Sequence, residues 1–466
     1  MKKLSMSVVL AMAIEFILVS AQAPSQEPAV AVKTNISYLE AKPILETLRE
    51  DLLPAELRAK TPAEIESAWP GWVLQHDAKI RARLERGDED SIVNFLLFGV
   101  TFTKQPRTKA YDILTLAAQA RSAEILQGRI VQRRVEDLVA GIAAPGANER
   151  LQFARQVIER KGIDPSKPGG KNQVRRFLDK EVKRVFADYE AYTRAPEPSL
   201  RFGDRGLSSD TSIFSDFAIE QALEAIKSGG MLGADSIRRV AIVGPGLDFT
   251  DKLEGYDFYP QQTFQPFAVI DSLIRLGLAR RDDVRVTTFD LSLKINRHLE
   301  AARQRARAGG AYVLQLPLAT DLHLNPDLVT YWKRFGDRIG EEAKAFAVPS
   351  GVGSVQLRAV RVPPAVVMAI IPRDLNIVLQ RPEPLAADER FDLIIATNIL
   401  IYYDVFEQSL ALSNVAKMLR PGGFFLSNNT STLILPTTPM DVVGSTNVVY
   451  SDQLNDKDRL VWCRRR

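Results

Sequence analysis

Cysteine is almost missing from this chain: Cys463 stands alone among 466 residues, which excludes an intrachain disulfide framework. Histidine is nearly as scarce. His76, His298 and His323 lie far apart, with no cysteine or histidine at ligand spacing, so no metal site is expected. Charge of one sign is lacking too: 61 Lys and Arg against 57 Asp and Glu leave a formal net charge of +4. That excess is too small to call for a nucleic-acid partner, and Arg464, Arg465 and Arg466 read as a solvated tail. No Gly-x-Ser-x-Gly elbow occurs and no His stands near a candidate Ser or Cys, which removes the hydrolase and protease readings.

Long apolar runs are confined to the start. Lys2 and Lys3 precede an apolar stretch from Leu4 to Val19, and Val19, Ala21 and Ala23 supply small residues for cleavage, so residues 1–23 read as a bacterial secretory signal peptide. Glu15 interrupts the run, and the alternative is an amphipathic N-terminal helix on a cytoplasmic protein. No later segment is apolar enough to cross a bilayer, so no transmembrane span is expected in the mature chain.

Hydrophobic content of 45% with 25% charged residues is ordinary globular composition, and the length suggests about two or three domains. From 34 to 200 the chain reads as an all-α domain. Leu, Ile, Val and Ala recur at three- and four-residue spacing, with helices expected at Tyr38 to Asp51, Pro62 to Trp69, Trp72 to Arg86, Ser91 to Phe98, Lys109 to Ala140, Ala147 to Lys161 and Lys171 to Tyr192. Breaks are expected at Gly87, at Pro145 and Gly146, and across Asp164 to Gly170. A polar stretch, EPSLRFGDRGLSSDTS, then reads as a boundary before an α/β region over 235–466. Buried strands are expected there at Arg239 to Val243, Val284 to Phe289, Ala365 to Ile371, Phe391 to Ala396 and Gly423 to Asn428, and more weakly at Thr446 to Ser451 or Asp458 to Cys463.

The most telling stretch is FDLIIATNILIYYD, residues 391–404, followed by Leu419, Pro421, Gly422 and Gly423. An acidic residue opens an apolar strand that ends at Thr397 and Asn398, and a helix leads to a Pro-Gly-Gly turn into another buried strand. This block resembles the class I S-adenosylmethionine (SAM) dependent methyltransferases, and among them the chemotaxis-receptor glutamate methyltransferases. The resemblance implies a Rossmann-like α/β sheet, SAM as cofactor and a methyl acceptor that is a small molecule or a protein side chain. In that family an Arg stands immediately before the Asn. Here it is Thr397, so a carboxylate acceptor does not carry over.

The fold implied places cofactor contacts at the carboxyl ends of the first strands. RRVAIVGPG ends in Gly244, Pro245 and Gly246, where absent Cβ atoms let backbone approach a ligand. A third glycine and the usual preceding acidic residue are missing, so a plain strand-to-helix turn stays open as the alternative. Asp290 ends the second strand as a ribose ligand or a helix cap. After the third strand, Asp374, Leu375 and Asn376 fall where the resembling family approaches adenine, with an Asx-turn as the competing reading. Asn398 is a candidate for the amino-acid end of SAM. Tyr402 is the candidate catalytic side chain beside the sulfonium methyl, or else packs on the following helix.

Between Gly246 and the next helix lies LDFTDKLEGYDFYPQQTFQPF, whose Tyr256, Phe258, Tyr259, Phe264 and Phe267 form either a lid over an acceptor or a packing face for the helices. Two function classes remain. One is an active methyltransferase; the other is an inactive methyltransferase-fold binding module in the cell envelope, where an exported chain would be separated from cytoplasmic SAM.

Overall fold

The computed structural model describes residues 32–108, 127–194, 205–250, 256–320, 322–350, 352–353, 355–429, 435–452 and 457–466. The expected signal peptide and the first part of the helix expected over Lys109 to Ala140 lie outside them.

A short strand β1 (Val32–Asn35) precedes α1 (Tyr38–Thr47), α2 (Ala55–Arg58), α3 (Pro62–Phe98), α4 (Arg129–Ala143), α5 (Glu149–Arg160), α6 (Gly170–Arg194) and α7 (Ile213–Ser228). The three helices expected between 62 and 98 are one. Thr61 and Glu64 start it with a capping box, and Pro70 and Gly87 both lie inside it. Tertiary burial overrides these local breakers, because α3 serves two cores. Trp69, Trp72 and Ile80 pack under the sheet, whereas Ile92, Phe95 and Leu96 pack with α4, α5 and α6. Beyond its end, fully buried Arg134 donates to the carbonyls of Leu96 (2.7 Å), Gln105 (3.0 Å), Pro106 (3.2 Å) and Gly99, satisfying groups the helix leaves open.

The rest alternates strand and helix: β2 (Arg239–Val243), α8 (Gln265–Arg275), β3 (Arg285–Asp290), α9 (Leu293–Arg307), β4 (Tyr312–Ala319), α10 (Pro326–Arg334), β5 (Glu341–Ala343), β6 (Val355–Val362), α11 (Pro364–Met368), β7 (Ile370–Asp374), β8 (Gln380–Glu383), β9 (Phe391–Ala396), α12 (Val405–Met418), β10 (Leu419–Ser427), β11 (Met440–Val449) and β12 (Lys457–Arg465). Seven strands form one sheet in the order β11-β12-β10-β9-β2-β3-β7. The pairs of β2 with β3 and β9, β3 with β7, and β9 with β10 are parallel, while β12 is antiparallel to both its neighbours.

Side chains alternate between the two faces of the central strands and are buried on both, so both faces are covered. Val240, Ile242, Leu393 and Ile395 face a core with α7, α8 and α9; Ala241, Val243, Ile394 and Ala396 face a core with α1, α3 and α12. On this second face Trp72 stacks on Trp69 (4.9 Å) and His76 (4.6 Å) and meets Phe406 edge-on, and His76 Nε2 lies 2.8 Å from Glu407. Strand β1 pairs antiparallel with β8, joining the N-terminal segment to the body of the sheet region.

Two departures from the sequence reading have local causes. The strand expected over Ala365 to Ile371 begins only at Ile370, because Pro364 occupies a first-turn position and starts the short helix α11. A second, three-stranded sheet, β4-β6-β5, is inserted before β7 and was not foreseen.

Candidate functional site

Strand β2 lies mid-sheet. The chain runs from it to β3 and β7 on one side, then returns to β9 and β10 on the other. The reversal between β2 and β9 is a topological switch point, where the ends of parallel strands leave a crevice. Two joined cavities lie there. An apolar crevice is walled by Leu84, Val243, Phe289, Leu375 and Ile377, with Asp290 at its edge, and has about 50 Å³ of free space. A more polar recess of about 370 Å³ is bordered by Phe214, Gln265, Thr397, Asn398, Tyr450 and Asp458. Ser208, Gly244, Ile399 and Tyr402 border both.

Gly244 and Gly246 have φ of 65° and 72°, a left-handed backbone that favours glycine. Their close neighbours belong to this chain. A Cβ on Gly244 would stand 2.2 Å from Cδ1 of Ile399, and one on Gly246 would stand 2.5 Å from the carbonyl oxygen of Asp210. The segment 205–212 thus lies as a strap across the strand ends. The Leu207 amide donates to Arg83 O (3.1 Å), and the Leu247 amide to Ser209 O (2.6 Å). In sequence this segment reads as a domain boundary; its run of Ser, Asp and Gly signals a loop without showing that it folds back on the sheet.

Asp290 is buried at the end of β3, and its Oδ1 accepts the Ser292 amide at 2.7 Å. No salt bridge to it occurs among the described residues. Burial pushes its carboxyl from 3.8 up to about 7; the Ser292 bond and Lys294 act against the rise, and Asp374 adds to it. The same carboxylate therefore orders the entry to α9 and borders the crevice.

Asn398 has a left-handed φ of 58°. It exchanges hydrogen bonds with Asn428 (2.8 and 2.7 Å) and donates to Ser215 (3.1 Å), which fixes the rim of the recess. Tyr402 borders both cavities, and Arg83 donates to its carbonyl at 2.8 Å.

Of the three residues expected near adenine, Leu375 alone borders a cavity. Asp374 turns to Lys33 and Arg81, both at 2.9 Å, and Asn376 donates to Asp77 at 2.8 Å while accepting the Val378 amide. The alternation of a strand end explains this, since Leu375 points opposite to both neighbours.

The described residues of the insertion after Gly246 pack against the helices and the core of the sheet. Asp257 accepts the amides of Val100 (3.1 Å) and Thr101 (3.3 Å), Arg150 donates to the carbonyls of Phe249 and Tyr259, and Phe249 meets Phe95 and Phe153. Phe264, at the start of α8, and Phe267, within it, lie in the core. None of the five aromatics borders either cavity.

Part of the telling motif is structural. Asp392 accepts the amides of Arg238 (2.7 Å) and Arg239 (2.8 Å) and pairs with Arg420, clamping the beginnings of β2 and β9 at the far end from the cavities. Gln265, Phe214, Tyr450 and Asp458 were not anticipated as site residues. They come from four separate elements or loops, and no local pattern links them.

No family model matches this chain, and no curated protein matches it. Among solved structures it is similar to TrmN from Thermus thermophilus, with 12% identity and a TM-score of 0.27 over 54% of this chain and 52% of that one. It is also similar to the glycopeptide N-methyltransferase MtfA complexed with SAM, with 12% identity and a TM-score of 0.25 over 53% and 93% of the two chains. A third is magnesium protoporphyrin IX methyltransferase from Synechocystis PCC 6803 with bound SAM, with 11% identity and a TM-score of 0.24 over 59% and 99%. This chain spans about half the length of TrmN. Likenesses this distant identify no residue roles, and the closer resemblance to chemotaxis-receptor enzymes gains no support from them. Strand order, parallel pairing and the mid-sheet switch point define the fold as a Rossmann-like α/β sheet.

Proposed function

We propose that this protein is a SAM-dependent methyltransferase whose apolar crevice takes the adenosine half of the cofactor and whose recess takes the methyl acceptor. The observation that carries this reading is Asp290. It is a buried carboxylate with no salt-bridge partner among the described residues, at the end of the second strand, beside the turn in which Gly244 and Gly246 are left-handed. Keeping such a group buried is unfavourable unless a ligand supplies donors, and two ribose hydroxyls do so. Leu375 and Ile377 offer apolar walls for an adenine ring. Ser209 Oγ, buried and without a hydrogen-bond partner, offers a further polar contact.

When bound, SAM would supply a methyl group already activated by its sulfonium. The chain's own task is then to align an acceptor and exclude water. Tyr402, Gly244 and Ile399 stand where the two cavities meet, the place at which acceptor and methyl group would face each other.

The crevice is narrow, so cofactor entry is expected to move the strap at 205–212. Calorimetric titration is expected to give dissociation constants on the order of 10 µM or tighter for both SAM and S-adenosylhomocysteine. Hydrogen exchange at the amides of Leu207 and Leu247 is expected to change on binding. Tight binding with no change at these amides would refute the moving strap.

A second reading, an inactive methyltransferase-fold module in the cell envelope, is favoured by the same narrow crevice. Failure of both ligands to bind would select it. Export itself is proposed from residues 1–23: a fusion of residues 1–40 to a reporter active only in the periplasm is expected to give signal, and a silent fusion with normal expression would place the chain in the cytoplasm.

A further inference from the structure

We propose that the acceptor atom is an amine nitrogen, carried next to a flat or apolar group; this rests on the methyltransferase reading above. Among the described residues the recess is bordered by the carboxylates Asp210 and Asp458 and by no Lys, Arg or His, and the crevice that joins it has no basic side chain in its wall. Lys294, buried outside that lining, acts electrostatically on Asp210, so Asp458 is the carboxylate that repels a carboxylate or phosphate acceptor.

A second observation points the same way. Gln265 is 5% exposed and donates through Nε2 to Thr397 Oγ1 at 2.8 Å, which leaves Oε1 buried, beside the recess, without a hydrogen-bond partner. Such an oxygen calls for a donor, and an amine brings N–H groups. The aromatic side of the recess supplies the rest. Phe214 and Tyr450 meet edge-to-face at 5.2 Å, and the Tyr450 hydroxyl donates to Asp458 at 2.7 Å, holding that carboxylate in place. Carboxylates beside aromatic rings attract ammonium groups through charge and through the ring faces together.

The step balances without a further reactant. The bound ammonium first gives one proton to water on the side of half-buried Asp458, and the free amine directs its lone pair at the methyl carbon. The N–C bond forms as the S–C bond breaks, and the electron pair stays on sulfur as a neutral thioether. The product leaves as the N-methylammonium, so one proton is released in all.

The test uses the full chain saturated with S-adenosylhomocysteine and four probes that share one ring: benzylamine, phenylacetate, benzyl alcohol and benzyl mercaptan. Benzylamine is expected to bind at least roughly fivefold tighter than the others, and Asp458→Asn is expected to remove most of that preference. In the same variant the affinity for S-adenosylhomocysteine is expected to stay within about twofold, which shows that the fold is intact. With SAM in place, mass spectrometry is expected to find N-methylbenzylamine ahead of any methyl ester, ether or thioether. Equal or tighter binding of phenylacetate, no preference for benzylamine, or a preference untouched by Asp458→Asn would overturn the amine reading alone. Absence of any SAM or S-adenosylhomocysteine binding would overturn the methyltransferase reading and this one with it.

Discussion

Asp290→Asn is expected to make the ligand-free chain more stable at neutral pH and to abolish most of its SAM affinity. Burial raises the Asp290 carboxyl from 3.8 to about 7, so between those values the native state holds a proton that the unfolded state has lost. The stability contribution is greatest below pH 4, falls as pH rises, and levels off above about 7. A shift of that size corresponds to a loss on the order of 4 kcal/mol at pH 7 and above. The amide in the variant has no such titration and keeps an oxygen to accept the Ser292 amide. The difference between wild type and variant in urea unfolding is therefore expected to grow from pH 4 to pH 7, in the variant's favour. Taking the difference removes the common background of other buried carboxyls such as Asp257.

Binding runs the opposite way. Ribose hydroxyls donate to an ionised carboxylate, so SAM affinity of the wild type is expected to rise with pH up to about 7 and then flatten, by at most about tenfold per pH unit. The variant is expected to lose affinity roughly a hundredfold and to lose this pH profile. Undiminished binding in the variant, or a flat profile in the wild type, would remove Asp290 from the site.

Gly87→Ala is expected to destabilise the protein, although residue propensity alone points the other way. In the interior of an exposed helix, Ala is about 1 kcal/mol better than Gly. Here a Cβ on Gly87 would stand 1.9 Å from the carbonyl oxygen of Leu207, and a Cβ on the facing Gly206 would stand 2.4 Å from the Gly87 nitrogen. Backbone meets backbone at this crossing, so no side-chain rotation relieves the clash. The strap must lift off α3, losing the Leu207 amide bond to Arg83 O and the packing of Leu207 on the crevice wall. A net loss of about 2–4 kcal/mol is expected in denaturant unfolding. A more stable variant would show that the strap does not lie on this helix.

The two predictions mark where reading residues in order succeeds and where it stops. The strands β2, β3, β9 and β10 were legible because a strand covered on both faces is a short, nearly continuous apolar run bounded by turn residues. Gly244, Gly246, Asp290, Leu375, Asn398 and Tyr402 all border the cavities because strand-end positions are fixed once the strands are. Asp374 and Asn376 went elsewhere: their partners, Lys33, Arg81 and Asp77, come from the N-terminal segment 293 to 341 residues earlier in the chain. Gly87 read as a helix break because its cause, the carbonyl of Leu207, is also remote in sequence.

By itself, then, the sequence determined the alternation of strands and helices, the acidic and glycine-bearing strand ends and the scarcity of metal-ligating side chains, all properties of neighbouring residues or of period. Tertiary structure alone decided that α1 and half of α3 cover one face of the sheet, that the strap closes on the glycine turn, and that Asp210, Gln265 and Asp458 meet at one recess. Those features depend on which distant segments meet, and the free energy of such meetings comes from burial shared between them rather than from any local preference.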